Sequence, residues 1–342
     1  MERVPVLIIT LCRYEHFRRC IESLKSNALA NETEIFIGLD YPLNDSHKPG
    51  YLKIKNYLKN EIDGFQKVHV LEQTKNLGAD GNYKKVKEEL YKYFDRYIFT
   101  EDDNEFSPNF LEYMNLTMNQ YERDESVYAV SGYTYPIDLN DYHGTTFKLN
   151  YYFSAFGYGV WKEKEEKAYQ EINMSHFYDS YRNQRNMRAL KCVSKNQYCN
   201  FVKGMLQYIP ELIGEDGEIQ KIDLSFGLYM FFTNKNMIFP TVSKVRNWGY
   251  DGSGIHCGVS NQGTKEGNTY STYSYEKQII DTDISFQSIT DQTKENAGWI
   301  QKKLNHFFGI SIIEEIKTTT AYVLSIVFGM NTVKRILSKI KK

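Results

Sequence analysis

Residues 97–106 read YIFTEDDNEF. Tyr97, Ile98 and Phe99 make an apolar, strand-like run. With only Thr100 between, that run stops on three consecutive acids, Glu101, Asp102 and Asp103. Like charges repel, and an isolated carboxylate is costly to take out of water. A cation at the strand end removes both objections. Hard divalent cations such as Mg2+ or Mn2+ prefer oxygen ligands, and one or two carboxylates plus phosphate oxygens commonly hold them. The competing reading is an exposed acidic turn, since short acidic runs are common. The position after a buried strand favours the cation.

The flanking sequence alternates strand and helix patterns. VPVLIIT (4–10), TEIFIGLD (33–40), KVHVLEQ (67–73), RYIFTEDD (96–103) and VYAVSGY (127–133) read as strands. Between them, Phe17, Ile21 and Leu24 recur at helical spacing. Residues 50–62, 79–94 and 107–122 also read as helices, the last with Ser107 as N-cap and Pro108 at the first helical position. This alternation predicts an α/β fold with a mainly parallel sheet and right-handed crossovers. Ligands of such sheets sit at the carboxyl ends of the strands. Thr10–Arg13, Asp40, Lys75–Gly78 and Glu101–Asp103 all fall at or just past those ends, so four polar clusters share one sheet edge.

Composition narrows the function classes. The net charge of −1 provides no overall field to recruit nucleic acid. The 28 tyrosines suit cores as well as polar, ring-shaped ligands. Cys12, Cys20, Cys192, Cys199 and Cys257 are odd in number and lack C-x-x-C spacing, which indicates neither a disulfide framework nor a zinc site. The N-terminus lacks signal-peptide features and no apolar run is long enough to span a bilayer, so a cytoplasmic setting is the expectation. No G-x-G-x-x-G follows the first strand and no Walker A motif occurs, which disfavours dinucleotide binding and P-loop chemistry. Arg13 and Lys75 suit a diphosphate, or are solvated surface charges. Asp40 suits a base N–H such as uracil N3, or caps a turn.

Taken in order, five stretches resemble the GT-A glycosyltransferases, with bacterial family-2-like capsule and O-antigen transferases and the N-acetylglucosaminyltransferase I type nearest. They are VPVLIITLCRYEHFRRCIESL, IFIGLD, KNLGADGN, FTEDDNEFSPNFLEY and IDLSF…FPTVSKVRNWGYDGSGIHCG, and together they span residues 4–258. The resemblance implies a Rossmann-like sheet flanked by helices and a metal-dependent, inverting transfer from a nucleoside-diphosphate sugar, with UDP favoured through Asp40. It implies nucleotide contacts from Thr10, Arg13, Asp40, Lys75, Asn76, Gly78, Asn82, Glu101 and Asp102, and metal ligation by Asp103 and His256. YYFSAFGYGVWKEK sits where relatives carry a W-G-W-x-x-W-like acceptor segment. It implies acceptor contacts from Phe156, Gly157, Tyr158 and Trp161, although Phe156 and Tyr158 replace two of the tryptophans. Asp223 is the implied general base; its other reading is a helix cap. His256 has a structural alternative as well.

The implied acceptor is a glycan or lipid-linked glycan of surface polysaccharide synthesis. Two other functions fit the same type of sheet. A sugar-nucleotide pyrophosphorylase would carry a Gly-rich loop after the first strand, where this chain reads TLCRYEHF. A non-catalytic nucleotide- or glycan-binding protein would be expected to lose the acids, which are present. The segmentation expected is 1–133 for the nucleotide-sugar half, 134–258 for the acceptor and catalytic half, and 259–342 for a helical C-terminal extension. Residues 245–258 are Gly-rich and read as a loop. The tail, AYVLSIVFGMNTVKRILSKIKK (321–342), is apolar and then basic. It reads as an interfacial helix on anionic lipid, giving a peripheral place on the inner membrane face, or as a terminal helix docked on the protein.

Overall fold

A computed structural model describes residues 3–206, 212–213, 219, 222–253 and 280–340. By its internal contacts the chain forms two compact units. One comprises residues 1–147, 154–164 and 238–292, and the other 148–153, 165–237 and 293–342. This division cuts across the expected segmentation, because residues 238–253 belong with the first strands and the tail belongs with residues 165–237.

The first strands and helices follow the hydrophobic pattern. β1 (Val6–Thr10), β2 (Glu34–Leu39), β3 (Lys67–Glu72) and β4 (Arg96–Glu101) alternate with α1 (Tyr14–Lys25), α2 (Lys48–Asn60) and α3 (Gly78–Leu90). After β5 (Asn104–Phe106) come α4 (Phe110–Tyr121), β6 (Val127–Ser131), β7 (Thr146–Leu149) and β8 (Tyr158–Trp161). Later in the chain, β9 (Asn236–Pro240) and β10 (Val245–Asn247) complete the strands. Eight of them form one sheet in the order β3-β2-β1-β4-β8-β6-β9-β7. β1 pairs in parallel with both β2 and β4, and β2 with β3. The VLIIT strand is buried along its whole length, as expected for a central strand covered on both faces. α1 turns Phe17, Cys20, Ile21 and Leu24 inward, the spacing read from the sequence.

Three local expectations are corrected. α4 begins at Phe110, two residues past Pro108. Ser107 instead closes a turn, accepting the Phe110 N–H on its carbonyl (3.1 Å) and donating its hydroxyl to Asn109 Oδ1 (2.8 Å). Residues 245–247 are strand rather than loop, because β10 pairs antiparallel with β5 (Val245 with Phe106, Asn247 with Asn104). The tail is two helices, α11 (Ile312–Phe328) and α12 (Met330–Ile340), separated by Gly329 at φ 84°.

The second unit is helical. After α5 (Lys162–Glu171) come α6 (Met174–Arg182), α7 (Gln184–Val193) and α8 (Lys195–Met205). Asn173, Asn183 and Ser194 divide them. Each accepts a backbone N–H from the first turn of the helix it opens and so satisfies a donor with no intrahelical partner. α9 (Ile222–Thr233) and α10 (Thr293–Phe307) complete the unit with α11 and α12.

Candidate active site

The parallel strands bring their carboxyl ends to one edge, and the predicted polar clusters meet there. Asp102 and Asp103 follow β4 and are buried, at 3% and 6% exposure. The cation that the acidic run calls for comes, in part, from the chain itself. Arg13, in the turn between β1 and α1, pairs through Nη2 with Asp102 Oδ1 and, at 2.9 Å, with Asp103 Oδ2. Thr10, the last residue of β1, donates its hydroxyl to Asp102 Oδ2 (2.8 Å).

The electrostatics are tightly balanced. Burial raises the Asp102 carboxyl above its usual value, against the pull of Arg13. Burial alone would lower the Arg13 guanidinium, but the charges of Asp102 and then Asp103 raise it, so it stays a cation. Burial and the Asp102 charge also raise the Cys12 and Cys20 thiols, which argues against thiolate chemistry at this edge.

Asp103 is held from a second direction. Asn247, at the end of β10, donates to Asp103 Oδ1 (2.9 Å) and to Asn104 Oδ1 (3.0 Å). The next backbone N–H, of Trp248, donates to the Asp103 carbonyl (2.8 Å). Trp248 in turn donates its indole N–H to Glu105 (2.8 Å) and lies under the Arg19 guanidinium, 4.1 Å from the ring centroid. Gly249 packs so close that a Cβ there would come within 2.4 Å of Asp103 Oδ2. Beyond it, Asp251 pairs with His16 of α1 (3.1 Å). Asn247 and Gly249 lie in the stretch that carries the resemblance but have no role of their own in it, and the His16–Asp251 pair has no sequence signal. The available signal was the Asn-Trp-Gly run after an apolar strand, whose meaning depends on the β5 pairing.

Asp40, just past β2, is 3% exposed. Its carboxylate accepts the Leu77 N–H (2.9 Å), the Tyr41 N–H (2.8 Å) and the Asn76 amide (3.2 Å). It therefore pins the Lys75–Gly78 turn to the sheet edge. Gly78 opens α3 at φ 71°, a conformation that favours glycine. Lys75 and Gly78 are exposed and Glu101 is half-buried. Asn82 lies deeper: its amide donates to the Gly38 carbonyl (2.9 Å) and accepts from Gln73 (3.1 Å), tying α3 to β2.

The four candidate acceptor residues do not share one end of the sheet. β8 runs antiparallel to β4, with Tyr158 opposite Phe99 and Trp161 opposite Arg96. Tyr158 is thus near the acids, and Gly157 beside it accepts the Gly132 N–H (2.7 Å). Phe156 meets Tyr133 edge-on at 5.2 Å. Trp161 lies at the opposite edge, buried, with Lys164 Nζ 4.0 Å from its ring centroid. Asp223 belongs to the other unit, exposed in the first turn of α9. His256 lies outside the described residues.

The donor chemistry fits a hard divalent cation. Each aspartate has two oxygens with about four acceptor positions, and protein donors occupy only some of them. Among the described residues, no group of three or more His, Cys, Asp or Glu side chains converges on a metal position. Any metal here would therefore take most of its ligands from elsewhere, as Mg2+ does from phosphates and water.

No protein-family model matches the sequence, and no curated protein matches it either. Solved structures do. The chain is similar to a mannosyltransferase, PcManGT from Pyrobaculum calidifontis, in complex with GDP-Man and Mn2+. The identity is 14% over 50% of this chain and 52% of that one, with a TM-score of 0.36. It is also similar to TarS of S. aureus (12% identity, 48% of this chain, 29% of that one, TM-score 0.31). A third similar structure is mouse xyloside xylosyltransferase 1 (10%, 48% and 69%, TM-score 0.29). The chain thus spans about half of the mannosyltransferase and under a third of TarS.

Proposed function

We propose that this chain is a glycosyltransferase that moves a sugar from a nucleoside-diphosphate donor to a hydroxyl of a glycan or lipid-linked glycan, with inversion at the anomeric carbon. The observation that carries the reading is the buried Asp102–Asp103 pair, bound by Arg13 at the carboxyl edge of parallel strands. Thr10 and Asp40 lie on the neighbouring strands at that edge. Buried like charges are costly, so a pair kept at a ligand-binding edge points to use rather than to stability.

The chain's own groups take distinct parts. Both carboxylates use one nitrogen of Arg13, whose guanidinium carries five donors in a rigid fork suited to phosphate oxygens. Arg13 therefore orients the donor diphosphate while holding the acids. Lys75, exposed on the turn that Asp40 pins, adds charge toward the phosphates, and Asn76 and Gly78 line that turn. The exposed backbone at Gly78 opens α3, where a helix N-terminus favours anions. Asp103, aided by Asp102, would hold Mn2+ or Mg2+, with His256 as a further candidate ligand. When bound, the ion supplies positive charge against the leaving diphosphate. Phe156, Gly157 and Tyr158 are the acceptor-side candidates at this edge. Asp223 is assigned as the base that removes the acceptor hydroxyl proton as it attacks.

The test is calorimetry of UDP and GDP binding with and without Mn2+, followed by donor-sugar turnover. Asp103→Asn is expected to lose the metal-dependent part of nucleotide binding while remaining folded at the assay temperature, since Arg13 keeps its pair with Asp102. Unchanged metal-dependent affinity in that variant refutes the ligand assignment. Absence of any nucleotide-sugar binding or turnover by the unaltered chain refutes the function.

A further inference from the structure

We propose that the outward face of α11, with the cationic residues beside it, is a docking surface for an anionic membrane. The proposal stands apart from sugar transfer, since it rests on the second unit alone. α11 is built the reverse of an ordinary surface helix. The side chains it buries are Thr318, Ala321 and Ser325. Those it exposes include Ile312, Ile316, Val323, Leu324, Val327 and Phe328, five of them at half or more of their full exposure. At 100° per residue Ile312, Ile316, Val323 and Val327 fall within about 60° of one another, with Leu324 and Phe328 flanking them on the side of Lys317 and the buried small residues on the far side. A polar side would normally face water, so this stripe is made for something apolar.

The buried side of α11 is well anchored, so the stripe is a stable presentation. Ser325 bonds the Tyr181 hydroxyl (2.8 Å), and Tyr322 donates to the Tyr181 carbonyl (3.3 Å). Glu315 pairs with Lys195 (2.7 Å) and Lys191 (3.2 Å), and Glu314 with Lys203 (2.6 Å). These pairs neutralise the acids of the first turn. The side chains bordering the stripe are then mainly cationic. Lys317 is exposed on the same face, and Arg188 and Lys191 of α7 line a cleft of about 380 Å³ whose other wall includes Val323 and Val327. After the break at Gly329, α12 adds Lys334, Arg335 and Lys339.

Charge selects the occupant. A second copy of the chain meeting this face about a two-fold axis would set cation against cation. Anionic phospholipid satisfies both features, with acyl chains taking the apolar stripe and headgroup phosphates taking Arg188 and Lys317. The helix has 17 residues, and no helix among the described residues is long and apolar enough to cross a membrane. α11 therefore lies along the surface. This moves the membrane-facing element toward the N-terminus of the tail read from sequence, since Ile312 and Ile316 precede Ala321. A truncation before Ala321 would cut α11 through its anchored face.

The experiment uses the full chain and vesicle co-sedimentation. One set of vesicles is phosphatidylcholine alone and the other contains about one-third phosphatidylglycerol. The chain is expected to pellet with the anionic set and far less with the neutral one. The double variant Val323→Asp, Val327→Asp, and separately Arg188→Glu, Lys317→Glu, should each lower the partition coefficient by ~10-fold or more. All four side chains are partly or fully at the surface, so melting temperatures should hold. If the apolar pair of changes unfolds the protein, the charge pair decides. Wild-type protein that stays in the supernatant overturns the proposal, as does equal pelleting by the charge variant. So does a dimer that Val323→Asp, Val327→Asp splits while neither form binds vesicles, for the face then belongs to a second copy.

Discussion

Replacing Arg13 by alanine tests whether the acids depend on a cation. Arg13 is 20% exposed at the side chain and its partners Asp102 and Asp103 only 4% and 6%, so neither pair is screened as a surface ion pair would be. Removing one member of a buried pair typically costs ~3–5 kcal/mol, because the remaining charge is left desolvated. At ~2–4 °C per kcal/mol for a domain of this size, Arg13→Ala should lower the melting temperature by roughly 6–20 °C. The loss should be smaller at low pH. Burial already holds the Asp102 carboxyl above its unfolded value, so the folded state binds a proton more readily there. For such an acid the folded state gains as pH falls, and the gain is lost as pH rises through the raised value. Without Arg13 that window moves higher still. Arg13→Lys keeps the charge but not the fork and should recover part of the loss. Added Mn2+ should recover part as well if the acids bind it, by ~2.7 kcal/mol at a hundredfold excess over its dissociation constant. The assay is differential scanning fluorimetry from pH 4.5 to 8, with and without Mn2+. A shift below ~1 °C at pH 8 would refute the claim that Arg13 holds the acids.

Gly249→Ala should displace Asp103, since the added methyl meets its carboxylate at 2.4 Å. The expected result is nucleotide binding weakened ~10-fold or more with an overpacking loss of ~1–3 kcal/mol, read by calorimetry and denaturant melting; wild-type affinity contradicts it. Asp223→Asn should slow transfer by ~10²–10⁴-fold with donor binding kept. The amide keeps the shape of the side chain in the first turn of α9 but cannot take the proton, so a near-normal rate would refute Asp223 as the base. Asp281 accepts from Lys244, which is buried at 3% exposure, and from Asn109 (3.0 Å). Burial alone would raise the Asp281 carboxyl, but these bonds hold it below its usual value. Its contribution is therefore present above the unfolded value and lost as pH falls through the folded one. Asp281→Asn should destabilise at pH 7 by ~3–5 kcal/mol, leaving Lys244 unpaired, and the gap to wild type should narrow toward pH 3. Parallel pH curves for the two proteins would contradict the assignment.

The sheet was legible because its strands are self-declaring: VLIIT and YIF are apolar runs closed by polar residues, and their helices carry apolar residues at helical spacing. What escaped depended on partners far along the chain. Asn-Glu-Phe at 104–106 has no strand pattern of its own and becomes β5 only because residues 245–247 pair with it. Strand direction was likewise hidden. The aromatic–glycine segment starts near the acids, but β8 runs antiparallel, which carries Trp161 to the other edge. The acidic triplet did signal a cation. Arg13 was read as a phosphate ligand, since nothing in the spacing of residues 13 and 102 reveals an ion pair. Asn109 shows the same limit on a small scale. It precedes α4, yet its side-chain oxygen, the atom that would cap, accepts the Ser107 hydroxyl while its amide N–H goes to Asp281, a partner 172 residues away, so the helix starts without a side-chain cap.

The β5–β10 ribbon also sets an order in time. Arg13, Asp102 and Asp103 are all made early in synthesis, and β1, β2 and β4 can pair with one another as soon as they are made. Asn247 and Trp248, which complete the enclosure of Asp103, emerge about 145 residues later. At ~5–20 residues per second that delay is roughly 7–30 s, far longer than strand and helix formation. During it the nascent sheet carries its acids with Arg13 alone to neutralise them. The arginine is thus in place on the acids before the strand that closes over Asp103 has been made.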